Sequence, residues 1–254
     1  MPTHNFQKKY TMEQLMQPTS ENWSETLLGE MLVCSLIGRA LYAYPDKVWL
    51  QSLLEEDVFS ETPFGAGQAE IDSGMFLLQR WSDENRTGLT NQAFDAIESD
   101  YMHLFIGPKK VLAPLWESYY LNKDHLLFQV ETLQVRNWYQ RFGLQAENLY
   151  HEPDDHIGIE FSFIAHLAKQ GLQACEADDT KKLKRMLKAQ GEFIRTHPQR
   201  WIKAWQQNVE DNARTDFYLG ISRLALGVIG TLEPILMVTT GKEANKSDIA
   251  PILA

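Results

Sequence analysis

The chain has 254 residues, of which 44% are apolar and 23% charged, so it can bury a core and lacks a disordered composition. Its net charge of −10 argues against nucleic-acid binding, since phosphate contacts need clustered lysine and arginine, and is compatible with a basic peptide partner. The two cysteines, Cys34 and Cys175, give neither a disulfide framework nor a metal-binding spacing, which indicates a reducing compartment.

The N-terminal residues and the longest apolar stretch both indicate where in the cell the protein is located. The segment from Met1 to Lys9 is polar and has neither an apolar core nor a twin arginine. The longest apolar stretch, from Phe217 to Val238, is interrupted by Arg223, Glu233 and Pro234, which favours a buried helix over a membrane span. We therefore expect a cytoplasmic protein without stable membrane insertion.

Apolar residues recur with helical periodicity along the chain, beginning with a helix near the N-terminus. Asn22 or Ser24 is its predicted cap, and its end is expected near Tyr44, because the residue before Pro45 is disfavoured in helices. Its predicted apolar face consists of five residues: Leu28, Met31, Leu32, Ser35 and Leu36.

Further helical stripes follow in order, separated by glycine and proline. They lie at Trp49–Leu54, Ile71–Leu78, Phe94–Phe105, Val135–Phe142, Ile157–Ala168, Leu183–Ile194, Trp201–Trp205 and from about Asp216 towards Pro234. No segment alternates as a strand would, and no Asn-Gly or Asp-Gly hairpin turn occurs. The sequence predicts an all-α fold, a single-domain bundle of roughly nine to eleven helices over residues 1–238, with a flexible tail at 239–254.

Packing alone does not explain the segment around residues 104–120. Gly107 and Pro108 end a helix, and the chain from Pro114 then carries Trp116 and Tyr119 on a connecting segment. An exposed apolar patch of this kind usually binds a partner. The alternative interpretation is that Trp116 and Tyr119 fill a gap between helices.

A second unusual segment runs from His151 to Gly158. Pro153 followed by Asp154 and Asp155 is typical of a helix start, because a carboxylate accepts free amide hydrogens there. Two histidines and three carboxylates within six residues also suggest a metal site. However, helical metal sites place ligands as in His-Glu-x-x-His, and no second histidine-rich segment complements this one. We expect neither a metal nor a cofactor.

Other catalytic signatures are missing from the sequence. It contains no dinucleotide-binding glycine motif, no phosphate-binding loop and no nucleophile elbow. Cys34 and Cys175 lack a neighbouring activating group. His197, directly before Pro198, is expected to cap a helix or to form a hydrogen bond in the core. The chain is therefore predicted not to be an enzyme.

The two unusual segments, in this order and at this distance, resemble the TorD/DmsD branch of the redox-enzyme maturation chaperones related to NarJ. The resemblance covers the chain from about Tyr101 to Val238. It rests on these residues: Leu104-Phe105-x-Gly-Pro, Trp116-Glu117-Ser118-x-Tyr120, Glu152-Pro153-x-Asp155-His156-x-Gly158, Phe193, His197, Trp201, Trp205 and Phe217-Tyr218. The chain departs from the branch at Leu115, where many relatives have proline.

The resemblance implies an all-helical cytoplasmic chaperone that binds the twin-arginine signal peptide, and sometimes the apo form, of a molybdenum reductase. The client would be a molybdopterin enzyme of the trimethylamine oxide or dimethyl sulfoxide reductase type, whose cofactor is inserted before export. The expected peptide-binding residues are Leu104, Phe105, Trp116, Glu117, Ser118, Tyr120, Asp154, Asp155 and His156.

We expect the apolar part of such a peptide to lie in a groove formed by Leu104, Phe105, Trp116 and Tyr120. Carboxylates, above all Asp155, would attract its arginines through charge-assisted hydrogen bonds.

Two other interpretations remain open at this point. The first is a helical metal-dependent hydrolase that uses His151, Asp155 and His156. The second is a scaffold that forms a homodimer through the apolar patch around Trp116.

Overall fold

The computed structural model describes residues 20–107, 110–146 and 152–239 of the chain. These residues contain no β-strand, and their ten α-helices confirm the predicted all-α bundle. The helices are α1 (Ser20–Tyr42), α2 (Lys47–Glu55), α3 (Ala69–Glu84), α4 (Asn91–Tyr101), α5 (Glu117–Leu121), α6 (Val130–Arg141), α7 (Ile157–Glu176), α8 (Thr180–Thr196), α9 (Ile202–Asn212) and α10 (Asp216–Thr239). A π-helix, Met102–Ile106, continues α4, and a 3₁₀ turn, Pro198–Arg200, precedes α9.

The hydrophobic core lies between two pairs of long helices. Helix α1 packs along α7, α3 packs along α10, and α8 contacts both α7 and α10. Burial of large apolar side chains between them is the main favourable term in folding. Fully buried examples are Trp23, Leu27, Phe161, Phe193 and Leu224.

The apolar face predicted for α1 was wrong. Leu28 and Leu32 are 39% and 51% exposed, respectively, and the buried face of α1 instead carries Trp23, Leu27, Val33, Cys34, Ile37 and Leu41. The helix is apolar around much of its circumference, so its own periodicity does not select one face. The proposed caps were also wrong, because α1 begins at Ser20 and both Asn22 and Ser24 lie inside it.

Two glycines allow α1 and α7 to approach closely. A Cβ atom built on Gly158 would lie 2.7 Å from Tyr42 Cβ and 2.9 Å from the Gly38 carbonyl oxygen. A Cβ atom on Gly38 would lie 3.0 Å from the Gly158 carbonyl oxygen. Such distances are too short for real side chains, so the two backbones touch only because both residues are glycine. The packing of α1 on α7 therefore explains Gly158 of the second signature segment.

Helix α10 supports the expectation of a buried C-terminal helix. The stretch Asp216–Met237 is long and apolar enough to cross a membrane, but 72% of its most apolar window is buried inside the protein. Such a helix is typical of a protein core. It continues past Pro234 to Thr239. Residues 240–254 lie outside the described residues, so the flexible tail stays a prediction.

We predict that Gly158→Ala lowers the free energy of unfolding by about 1–3 kcal/mol, because its methyl group would push α1 away from α7. The matched control is Gly230→Ala in α10, where an added Cβ atom meets nothing within 4 Å. That substitution should raise stability by about 0.5–1 kcal/mol through helix propensity. Urea denaturation measures both values, and equal effects would contradict the close contact.

Candidate functional site

The backbone joins the two signature segments side by side. The Ile157 amide donates to the Leu115 carbonyl oxygen at 2.8 Å, and the Glu117 amide donates to the Asp155 carbonyl oxygen at 3.0 Å. These bonds form an isolated antiparallel bridge between segments that are far apart in sequence. Because the bridge lies directly before α5 and α7, it fixes the starts of both helices relative to each other.

The Asp155 carboxylate lies at the centre of this arrangement and is fully buried. It accepts a hydrogen bond from the Ser118 amide at 2.7 Å, in the first turn of α5. Its other oxygen accepts a hydrogen bond from the Thr132 hydroxyl of α6 at 2.6 Å. A carboxylate in this position satisfies a free amide at the N-terminus of α5 and complements the helix dipole. Asp155 thereby connects α5 and α6 to the segment that precedes α7.

Asp154 binds α6 from the same segment. Its carboxylate accepts hydrogen bonds from Arg136 Nε at 3.0 Å and from the terminal nitrogen Nη2 at 2.7 Å. The Tyr139 hydroxyl donates to the Asp154 carbonyl oxygen at 3.0 Å. The Asp154 side chain is buried and that of Arg136 largely so, which makes this a low-dielectric ion pair.

His156, rather than an aspartate, caps α7. Its Nδ1 accepts a hydrogen bond from the Gly158 amide at 3.0 Å, which requires an unprotonated nitrogen. Burial lowers the pKa of His156 from 6.5 to about 3, so the ring is neutral. The expectation that one aspartate of this segment caps its own helix was wrong, because the bridge directs the Asp155 side chain to α5. The ring of His156 also packs edge-on against Trp116.

A second buried acid, Glu117, connects the site to the C-terminal half of the chain. Its Oε2 atom lies 2.8 Å from His197 Nδ1, which confirms the predicted core hydrogen bond of that histidine. Burial raises the pKa of Glu117, whereas the bond to His197 lowers it. Burial also raises the pKa of the neighbouring Glu160 well above its ordinary value, and the Glu117 and Asp155 carboxylates raise it further. Both effects favour the protonated form of Glu160.

Partly exposed side chains form a rim above these buried groups, which we call the aromatic rim: Trp116, Tyr119, Tyr120 and Glu152. The Trp116 indole donates to Glu152 Oε1 at 2.6 Å. The Tyr120 ring stacks on Trp201 with centroids 5.1 Å apart, and its hydroxyl accepts a hydrogen bond from Asn208. The rim is thus held in place and still accessible.

The structure divides the predicted peptide-binding residues into two groups. Trp116 and Tyr120 belong to the partly exposed rim, whereas the other seven are buried: Leu104, Phe105, Glu117, Ser118, Asp154, Asp155 and His156. Leu104 and Phe105 lie in the π-helix and belong to the hydrophobic core, where Phe105 contacts Tyr101 and Tyr218. In this conformation Glu117, Ser118, Asp155 and His156 hold the segments that carry the rim, and contact of any of the seven residues with a peptide stays a prediction.

Several residues of the site were not among the predicted peptide-binding residues, and they include Tyr119, Thr132, Arg136, Glu152 and Glu160. Thr132 and Arg136 are spaced i, i+4 on α6, and this polar stripe next to the buried Val135 was the available signal. Glu160 interrupts the apolar face of α7 one residue before Phe161, and a charged residue in such a stripe indicates a buried polar contact.

The metal-dependent hydrolase is not favoured by the arrangement of these groups. Among the described residues, no three histidine, cysteine, aspartate or glutamate side chains are placed to hold a metal ion. Both Asp155 oxygens and the Nδ1 atom of His156 already have hydrogen-bond partners in the protein. His151, the third proposed ligand, lies outside the described residues.

Comparison with known proteins gives consistent results. The family described as nitrate reductase delta subunit matches residues 69–207, a range that includes both signature segments. A protein named "Tat proofreading chaperone DmsD" from Salmonella typhi is 30% identical over 122 residues, which cover 48% of this chain and 53% of that protein. A "Probable Tat proofreading chaperone DmsD" from Haemophilus influenzae is 28% identical over 198 residues, covering 78% and 85% of the two chains.

A "Chaperone protein TorD" from Vibrio cholerae is 29% identical over 192 residues, covering 71% of this chain and 86% of that protein. The match to the Salmonella relative spans about half of its length, whereas the other two matches span most of theirs. These curated relatives are named as chaperones, which supports a chaperone role and confirms that the chain is not an enzyme.

We predict that Asp155→Ala lowers the free energy of unfolding by about 2–4 kcal/mol, since it leaves a buried amide and a buried hydroxyl without an acceptor. Thr132→Val removes only one of these bonds and should cost about 1–2 kcal/mol. Asp95→Ala, an exposed change on α4, is the control and should stay within about 0.5 kcal/mol. Urea denaturation compares the three, and a neutral Asp155→Ala would exclude this structural role.

The cap on α7 predicts a specific response to pH. Because the folded-state pKa of His156 is about 3 rather than 6.5, the unfolded chain binds a proton that the folded protein excludes. The contribution of neutral His156 to the free energy of unfolding is therefore fully present above pH 6.5. It is lost as the pH falls towards about 3, by up to about 1.4 kcal/mol per pH unit.

His156→Asn keeps a capping oxygen but cannot titrate, so it should remove the pH-dependent part of the stability that comes from His156. Buried Glu160 acts in the opposite direction, because its raised pKa stabilises the folded state as the pH falls. The relevant measurement is therefore the difference between wild-type and His156→Asn unfolding free energies from pH 7.5 to 4.5. A difference that is constant with pH would contradict a neutral His156 in the folded state.

Proposed function

Because the chain belongs to the nitrate reductase delta subunit family, in its TorD/DmsD branch, we propose that it is a cytoplasmic chaperone that binds the twin-arginine signal peptide of a molybdopterin-dependent oxidoreductase. The observation that carries this proposal is the bridge between the two signature segments. Both segments lie within the family match, and the bridge brings their residues together under one partly exposed rim.

The aromatic rim offers the two chemistries that such a peptide needs. Trp116 and Tyr120 provide partly exposed aromatic faces for apolar side chains and for stacking of guanidinium groups. Glu152 is a partly exposed carboxylate that an arginine can reach with charge-assisted hydrogen bonds. Asp154 and Asp155 are occupied by partners within the protein, so they act by holding the rim in position. The net charge of −10 adds a general attraction for a basic peptide.

The remaining predicted residues act as supports in this proposal. Leu104 and Phe105 anchor the chain before the rim, Ser118 and Glu117 fix α5, and His156 supports Trp116 from below.

The expected affinity is moderate. Burying three or four apolar side chains of the peptide at roughly 1.5–3 kcal/mol each gives a gross gain of about 5–12 kcal/mol. Ordering a flexible peptide offsets several kcal/mol of this gain. Micromolar binding, about −8 kcal/mol, therefore requires polar contacts to the arginines as well. Such an affinity allows a chaperone to release its client.

The client is, in this proposal, a reductase of the trimethylamine oxide or dimethyl sulfoxide type. The chaperone binds its leader, and its apo form, while the molybdenum cofactor is inserted, and delays export until maturation is complete. The names of the DmsD relatives, which contain the words "Tat proofreading", support this role. A homodimer through the Trp116 surface is the competing use of the rim, and light scattering of wild type and Trp116→Ala detects it.

Calorimetric titration with a synthetic twin-arginine leader from a candidate molybdoenzyme tests the proposal. We expect a micromolar or tighter dissociation constant, and much weaker binding of a leader whose two arginines are replaced by alanine. No binding across several leaders would contradict the proposal.

We predict that Glu152→Gln weakens leader binding by about 10–100-fold, the range expected for loss of a hydrogen bond to a charged group. Glutamine still accepts the hydrogen bond from Trp116, so the rim should keep its shape. Glu176→Gln is the control, because Glu176 is exposed at the opposite end of α7, about 30 Å away. Equal affinities of the two variants would remove Glu152 from the binding site.

A further inference from the structure

Exposed apolar side chains are concentrated in the connection between α5 and α6 and in the first turn of α6. Leu126, Phe128, Val130 and Leu133 are 52%, 48%, 57% and 55% exposed. They are four of the eleven large hydrophobic side chains that are exposed in the described part of the chain, and they lie within eight residues of each other. We call these four residues the apolar loop. Single exposed hydrophobic residues are common, but a contiguous group is typical of an interaction site.

The protein holds this loop in a defined and strained shape. Phe128 has a φ angle of 57°, in the left-handed region that is unfavourable for a bulky residue, and His125, a residue type that tolerates this region better, has a φ angle of 54°. The His125 ring stacks on Tyr119 with centroids 4.4 Å apart, and its Nδ1 lies 2.8 Å from the Tyr119 carbonyl oxygen. Backbone strain of this kind persists where surrounding contacts enforce it, and it is concentrated at ligand-binding segments.

The apolar loop is continuous with the candidate site. Its N-terminal side contacts Tyr119 of the aromatic rim through His125. Its C-terminal side is the first turn of α6, which carries Thr132 between the exposed residues Val130 and Leu133. The Thr132 hydroxyl points inward to Asp155, whereas its exposed neighbours face outward. The same buried aspartate that fixes the rim therefore also fixes the apolar loop.

The size of the apolar loop fits a peptide better than a second protein subunit. Four side chains that are each about half exposed offer roughly 400 Å² of apolar surface. A stable interface between proteins buries about 800 Å² on each partner. The partner is therefore expected to be a short apolar segment that approaches the loop and the rim together.

We propose that the apolar loop binds the apolar stretch that follows the two arginines of the signal peptide, while the arginines lie at Glu152 of the rim. This inference rests on the proposed function and assigns its apolar contacts to residues outside the family signature segments. A twin-arginine leader has the matching order of groups, with basic residues next to a short apolar stretch. Among the charged residues beside the loop, the two acids Asp124 and Glu131 outnumber the one base, Lys123, which favours a basic rather than an acidic peptide.

The test compares two double variants by calorimetric titration with the same twin-arginine leader. Phe128→Asn combined with Leu133→Gln makes the loop polar, and both new residues suit their backbone, since asparagine tolerates positive φ and glutamine favours helices. The control is Leu32→Gln combined with Phe76→Gln, which removes side chains that are 51% and 65% exposed on α1 and α3. We expect the loop variant to bind at least tenfold more weakly than wild type, and the control to stay within twofold.

A change in the peptide makes the test independent of any effect on folding. A leader with intact arginines but a polar stretch of serine and glutamine should bind wild type at least tenfold more weakly. The loop variant should show little further loss with this leader, because the same contact has already been removed. Leu126→Gln combined with Val130→Gln is the second loop variant and should behave in the same way.

Three outcomes separate the inference from the proposed function. Wild-type affinity in both loop variants would overturn the inference and leave the proposed function standing. Failure of the wild-type protein to bind any leader would overturn both. Light scattering that shows a dimer in wild type and a monomer in the loop variant, with unchanged leader affinity, would assign the loop to self-association and overturn the inference.

Discussion

One buried carboxylate, that of Asp155, determines how the functional region is arranged. It accepts hydrogen bonds from α5 and α6, while the backbone of the same residue forms the bridge that precedes α7. Three segments that are separate in sequence therefore share one anchor. A buried carboxyl group of this kind is tolerated because both of its oxygens receive strong hydrogen bonds. The aromatic rim and the apolar loop both depend on this anchor for their positions.

This arrangement separates the rigid part of the site from the part that a partner can reach. The acidic residues that attract attention in the sequence are paired inside the protein, where they fix geometry. What reaches the surface is a set of aromatic rings, one partly exposed carboxylate and a strained apolar loop. A surface made of apolar and aromatic groups on a rigid support suits partners that share a pattern of basic and apolar residues rather than one exact sequence. It also keeps the loss of side-chain entropy on binding small.

The fold was more predictable than the site, for physical reasons. Helical periodicity is local, so most elements could be placed from the sequence, including the stripe around Phe161 and the break after Gly107. The buried face of α1 was not predictable, because Leu27 and Leu28 are both apolar and the choice depends on the contact between Gly38 and Gly158. The signature segments identified the correct region of the chain. Their individual roles depended on the bridge, which is a tertiary contact that no local pattern reveals.

The contact between Glu117 and His197 joins residues that are 80 positions apart, and this separation has a consequence for synthesis on the ribosome. At about 5–20 residues per second, roughly 4–16 s pass between translation of the first and the second of these residues. During that interval Glu117 lacks its partner, and the rim has no support from α8 and α9. The support of the rim is therefore complete only after most of the chain has been made. Long-range contacts of this kind also make folding slower than helix formation alone would suggest.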